Sequence, residues 1–298
     1  MNSEYDTLSD LGARLKAYRI GRSLTTEEVA QKIGVSRAAV YRYESGQPMR
    51  IDILGKIAVL LNVSLVSLLG VGVEYFSSAL AFFERMRQLE AKAEQLSVLF
   101  GPISYLLTTD SFDAILPDVL AESIPVDIQD REKFLFDITK IITILKERKQ
   151  AFKKRRPNII SLVSAAELEY FCKTGFIGDL NLEDIDIKQR RQVAFSEVNN
   201  IIQLLQEQPM GIQIGVLVDS VPGGSFQIFK QLNHSEVAVS PFKLGSFANV
   251  RIGVASISSS PESVKLHSQL AQNLWKHSLK GDEAVDYLEK TIVNVPWS

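Results

Sequence analysis

The sequence predicts a multidomain chain: an all-α N-terminal domain over residues 1–72, a long linker helix over 73–101, and a mixed α/β domain over 102–298. Three observations carry this. Leu24–Gly46 reads as two short helices around a tight turn. Glu74–Phe100 repeats apolar residues every three or four positions. From Asn158 onward, short apolar runs with strand-like alternation are separated by turns and helices. A chain of 298 residues is also long for one domain, and 46% hydrophobic with 23% charged residues is a globular composition.

In the N-terminal domain the first helix runs over Asp10–Ile20, with Leu11, Leu15 and Tyr18 inward and Arg14, Lys16, Arg19 and Arg22 outward. Thr25 or Thr26 caps the next helix, and Glu27 and Glu28 lie in its positive first turn. Val29, Ala30 and Ile33 face inward, Gly34 gives the turn its backbone freedom, and Ser36 is a good N-cap for the following helix. On that helix Val40 and Tyr43 share the inner side, while Arg37, Ala38, Tyr41 and Arg42 fall on the open side. Small residues with two arginines on a short open face suit a DNA major groove, where Arg bonds guanine O6 and N7 together. Gln47-Pro48 marks a turn, Ile51–Leu61 is a fourth helix, and Ser64–Leu69 closes the domain before Gly70 and Gly72.

The stretch LTTEEVAQKIGVSRAAVYRYESG resembles the helix-turn-helix of the XRE group, which includes phage repressors and Cro. Leu24, Thr25, Glu27, Val29, Ala30, Ile33, Gly34, Val35, Ser36, Val40, Tyr43, Glu44 and Gly46 carry the likeness, which spans about Leu11–Leu69. It implies a DNA-binding transcriptional regulator of operator sequences that acts as a homodimer. The DNA-binding residues it implies are Thr26, Ser36, Arg37, Ala38, Tyr41 and Arg42. Members often carry Gln where Thr26 stands, and that Gln touches the DNA backbone.

Charge agrees with a local nucleic-acid contact. Residues 10–70 hold nine Lys/Arg against five Asp/Glu, although the whole chain has a formal net charge of −2. The single cysteine, Cys172, allows no intrachain disulfide, and a reducing, cytoplasmic setting is expected. No signal peptide opens the chain. Ile57–Val73 approaches the length of a membrane span, but it stands where the last helices of the DNA-binding domain belong, so no membrane partner is expected.

Glu74–Phe100 presents Phe76, Leu80, Phe83, Met86, Leu89, Ala93, Leu96 and Phe100 on one stripe, an amphipathic helix of roughly 40 Å. Either it pairs with its copy in a second subunit or it packs on its own C-terminal domain. Gly101-Pro102 ends it. Helices follow over Ser111–Ser123 and Gln129–Lys154, the latter ending in the basic run Lys146–Arg156. That run is either a phosphate site or a solvated helix end whose cations suit the dipole. Ile159–Val163 is an apolar run, Ala165–Lys173 and Gln189–Gln206 are helical, and Ile212–Val218, Phe226–Phe229, Val237–Val239 and Val250–Ile257 are strands, with a turn at Val221–Gly224. Ser260-Pro261 starts a helix lined by Leu266, Leu270, Leu274 and Trp275, and Gly281 starts a last one. The order of these elements over about Leu106–Leu288 loosely resembles an uncharacterised C-terminal domain of actinomycete helix-turn-helix regulators. That domain is a sensory or partner-binding module related in fold to phospholipase D. The likeness implies a small-molecule effector or a partner protein; an antitoxin-like or adaptor role is the alternative.

No catalytic, cofactor or metal set is predicted. None of His234, His267 and His277 has a Lys two residues on, no HExxH or GxSxG occurs, and Gly70-Val71-Gly72 and Gly223-Gly224 lack phosphate-loop context. Cys172 reads as a buried small hydrophobe. Asp219 and Arg251 either anchor a polar ligand or form a structural ion pair.

Overall fold

A computed structural model describes residues 3–179, 184–219, 223–245 and 247–294. The N-terminal part is helical: α1 (Ser3–Gly21), α2 (Thr26–Ile33), α3 (Arg37–Glu44), α4 (Ile51–Leu61) and α5 (Leu65–Leu69). Glycine or asparagine in the left-handed region closes α2, α4 and α5, at Gly34, Asn62 and Gly70. Leu15, Val29, Val40, Ile57 and Leu68 are fully buried and form the centre of the bundle. Among the described residues, no helix is long and apolar enough to cross a membrane.

The C-terminal part is a seven-stranded mixed sheet with helices. Its elements are β1 (Val73–Phe76), α6 (Ala79–Glu90), β2 (Gln95–Leu99), α7 (Asp110–Glu122), α8 (Arg131–Arg155), β3 (Asn158–Ser164), α9 (Ala165–Thr174), α10 (Asp184–Glu207), β4 (Ile212–Leu217), β5 (Ser225–Lys230), β6 (Ser235–Ser240), β7 (Ala255–Ser258), α11 (Pro261–His277) and α12 (Gly281–Leu288). The strand order is β1-β7-β6-β5-β2-β3-β4. β2, β3 and β4 run parallel; the other pairs are antiparallel. The large core lies on the sheet face that carries Phe76, Leu96, Ile159, Val216, Phe229 and Ile257. On the opposite face Leu162, Leu217, Phe226, Ile228 and Val237 form a smaller cluster under α11. Residues 220–222 of the expected Val221–Gly224 turn lie outside the described residues.

The stretch expected as one linker helix over Glu74–Phe100 is instead strand, helix and strand. Ser78 caps α6 through a bond from Ala81 N, and α6 ends at Glu90. β1 pairs with β7, and β2 lies between β5 and β3. The apolar stripe is consumed inside the chain: Leu80 and Phe83 are 2% and 3% exposed. It therefore packs on its own chain and leaves no face for a second copy. Two smaller corrections follow. Residues 250–254 are irregular, so the strand expected from Val250 begins at Ala255. Leu266 and Leu270 are exposed, and α11 holds the sheet through Val264, Ala271, Leu274 and Trp275.

The helical part is joined to the sheet by α1. Tyr18 stacks on Phe76 with ring centres 5.0 Å apart, and its hydroxyl donates to the Tyr75 carbonyl at 3.3 Å. Gly21 lies so close to α6 that a Cβ there would stand 2.3 Å from Ala81 Cβ. Arg14, expected outward, is buried and donates from Nε to Glu74 Oε1 at 2.7 Å. Glu74 also accepts from Arg85 at 3.0 Å, and Arg85 reaches Glu236 at 3.4 Å. Buried charges of this kind persist only when paired and hydrogen-bonded, as here. A further tie runs from Ser23 Oγ, just before α2, to Asp137 Oδ1 of α8 at 2.8 Å.

Candidate nucleic-acid interface

The helix pair is built by local bonds that its sequence specifies. Thr25 is the N-cap of α2: its Oγ1 accepts from Glu28 N at 3.2 Å, while Glu28 Oε2 accepts from Thr25 N at 2.6 Å. Those bonds from Thr25, backbone first, hold the Glu28 carboxyl below its ordinary value. Gly34 turns the chain at φ 76°, a conformation that disfavours a side chain. Ser36 then caps α3, accepting from Ala39 N at 3.2 Å. Ala39 and Val40 are buried beneath α3.

This leaves Ser36, Arg37, Ala38, Tyr41 and Arg42 exposed, on one end and one side of α3. The two aromatic and basic residues are linked. Arg37 Nη2 donates to Tyr41 Oη at 3.1 Å, and its guanidinium carbon lies 5.4 Å from the Tyr41 ring centre. Bonds from Thr26 and then Arg37 hold the Tyr41 phenol below its usual pKa. Arg37 also sits 3.9 Å from Glu27. Arg42 is exposed, and no ion pair or hydrogen bond of its side chain occurs among the described residues. Thr26 differs from the other five: it is the first residue of α2 and is buried. Tyr43, expected on the inner side, is half-buried.

The frame under this surface is held by Arg19. Its Nη2 donates to Glu44 Oε2 at 3.0 Å and its Nη1 to the Leu24 carbonyl at 2.8 Å, so the end of α1 fixes both α3 and the entry to α2. Arg19, expected outward, has a side chain only 12% exposed. Arg50, in the loop after α3, has a side chain 83% exposed and bonds Asp52 at 3.0 Å. It adds a cation to the helical part that spacing alone did not single out. The signal was its place two residues after Pro48 and directly before the expected helix from Ile51.

The C-terminal part buries a set of paired polar groups. Arg148 donates to both Glu90 oxygens at 2.7 and 2.8 Å, and Gln227 donates to Glu90 at 3.0 Å. Beside them a small cavity of about 40 Å³ opens between Phe83, Met86, Pro102, Tyr105, Gln227 and Phe242. Lys149 bonds Asp113 at 2.7 Å and Thr108 at 2.9 Å, and burial lowers its pKa. Glu197, fully buried, accepts from Thr109 N at 3.0 Å, and burial raises its pKa.

The basic run over 146–156 is thus not a solvated helix end throughout: Arg148 and Lys149 are buried. Arg155 donates to the Glu90 carbonyl at 3.2 Å, at the C-terminal end of α6. Arg148, Lys149 and Arg155 are thus taken up by the fold, while Lys146, Lys153, Lys154 and Arg156 are exposed.

The singled-out C-terminal residues are dispersed. His234 lies 3.7 Å from Glu236, His267 packs edge-on against Phe226, and the ring Nδ1 atoms of His267 and His277 lie 2.8 Å from carbonyls one turn back. Cys172 is fully buried, and burial pushes its thiol pKa up to about 12. Asp219 is exposed and Arg251 half-buried; among the described residues they form no ion pair with each other.

No curated protein matches the chain. A protein-family model described as Helix-turn-helix matches residues 15–68, the stretch from mid-α1 to α5, and supports a DNA-binding regulator of XRE type.

Proposed function

We propose that the chain is a cytoplasmic, sequence-specific transcriptional regulator that binds operator DNA as a dimer. Its α/β part senses a small molecule or a partner protein. The observation that carries the DNA reading is the open face of α3, with Arg37, Ala38, Tyr41 and Arg42 exposed above a packed helix pair. Arg37 opens the helix and reads a base edge; Ser36 and Arg42 lie along the groove; Thr26, buried at the start of α2, supports the helix pair from within. The sensing part meets the DNA-binding part where α6 touches α1, at Ala81 and Gly21.

The test is selection of bound sequences from random duplex DNA, followed by Arg37→Ala against selected and scrambled duplexes over a salt series. Arg37→Ala is expected to cost roughly 1–3 kcal/mol on the selected duplex and to relax one base position. Equal loss on both duplexes, with a salt slope lowered by about one ion, makes Arg37 a phosphate contact instead. No enrichment of any sequence overturns sequence-specific binding.

A further inference from the structure

The dimer of the reading above needs a surface, and the stripe expected to supply it is buried under α1 and against the sheet. The apolar side chains left in solvent lie elsewhere. Leu65, Val66 and Leu69 on α5, Val71 in the following turn, Tyr75 on β1 and Val239 on β6 are each more than a third exposed. They are connected by the fold. α5 packs on β1, and Gly72 ties the turn to β7 by accepting from Ser258 Oγ at 3.3 Å. Tyr75 and Val239 both register with Ser256, one strand to either side, so they share a sheet face. That face is opposite the one on which Glu74 and Phe76 are buried.

Exposed apolar residues scattered singly need no explanation, whereas a connected group does. This one is free of charge along the chain: Asn62–Val73 contains no Asp, Glu, Lys or Arg. A two-fold axis sets a patch against itself, so charge of one sign there would repel its own copy, and an uncharged patch meets itself without that cost. At their fractional exposures these six residues present on the order of 500 Å², the larger part of the roughly 800 Å² per partner of a standard interface. The group also sits on the DNA-binding part itself, so pairing there fixes the distance between two copies of α3.

We infer that the surface formed by α5, the Gly70–Gly72 turn and the exposed face of β1 and β6 is where a second copy of this chain pairs. The inference rests on the DNA-binding reading for its need of two half-sites, but its test does not require DNA. Light scattering of the full chain is expected to give twice the chain mass at micromolar concentration. Val66→Glu and Tyr75→Lys are each expected to raise the concentration for pairing at least ten-fold, with unchanged far-ultraviolet circular dichroism. Val126→Glu, at an exposed apolar residue in the α7–α8 loop, serves as the control and keeps the dimer mass. A single-chain mass for the unaltered protein up to about 100 µM overturns the inference, even if the chain then pairs with a different protein. So do folded Val66→Glu and Tyr75→Lys variants that remain dimeric, or dissociation by Val126→Glu. A monomer that still selects one half-site from random duplex overturns the pairing and leaves the DNA reading standing; a dimer that selects no sequence does the reverse.

Discussion

Arg14 and Glu74, sixty positions apart, meet at 2.7 Å with side chains 8% and 4% exposed. Glu74 is the shared acceptor of two guanidiniums, Arg14 from α1 and Arg85 from α6. The three side chains join the helical part to the first strand of the sheet.

Removing the acceptor leaves two buried cations with too few partners. Glu74→Gln is expected to cost about 3–5 kcal/mol, because the penalty for an uncompensated buried charge outweighs the bond that is lost. Replacing all three residues with apolar ones of similar volume is expected to cost far less. Equilibrium denaturation in urea compares the two. An unchanged midpoint for Glu74→Gln shows that the network does not hold this seam.

Gly21 and Ala81 set how closely α1 approaches α6. Gly21→Ala places a methyl 2.3 Å from Ala81 Cβ, so one helix must move, at a cost of about 1–3 kcal/mol. Ala81→Gly in the same chain is expected to recover most of that loss. Failure of the second substitution to recover stability places the cost elsewhere in α1.

Tyr41 and Arg37 are expected to act on DNA as a pair. Tyr41→Phe removes the hydroxyl that accepts from Arg37, and is expected to cost about 0.5–1.5 kcal/mol in discrimination. Arg37→Ala should then cost less in the Tyr41→Phe background than alone. Additive losses in a double-mutant cycle of duplex binding mean that the contact seen along α3 does not position Arg37 at a base.

His234 gives the protein a pH dependence of known sign. The Glu236 carboxylate, 3.7 Å away, raises its pKa above the usual 6.5. A raised folded value adds stability that is complete below 6.5 and is lost as pH rises through the shifted value. The thermal midpoint is therefore expected to fall across that window on account of His234, and His234→Gln should flatten the fall. A scan of melting temperature from pH 5.5 to about 8.5 decides it. An identical profile for the variant removes His234 from the account.

How far the sequence could be read depended on the range of the interactions. Thr25, Glu28, Gly34 and Ser36 act within four residues of themselves, so the helix pair and its open face were legible from spacing alone. Alternation made β4 legible for the same reason, since Ile214 and Val216 bury one side of one short strand. Glu74–Phe100 misled because Phe76, Leu80, Phe83, Met86, Leu89, Ala93, Leu96 and Phe100 keep helical intervals straight through strand, helix and strand, and the turn over Ala91–Glu94 contains neither Gly nor Pro. Arg14, Arg148 and Lys149 looked solvent-facing because their partners lie 60, 58 and 36 residues away. A cation's fate is written in whichever distant carboxylate the fold delivers to it, and spacing along a helix holds no record of that.

The first helix has consequences for how such proteins are recombined. Tyr18, Arg14 and Gly21 are shaped by Phe76, Glu74 and Ala81, all of which lie beyond Gly72. A chimera cut after Gly72 would carry a DNA-reading head whose inner surface was fitted to residues left behind, with an aromatic ring and a guanidinium newly facing water. To graft this head onto another regulator, the transplant would have to include β1 and α6. Those elements belong to this chain's own sheet as much as to its head, so the chain offers no clean place for the scissors.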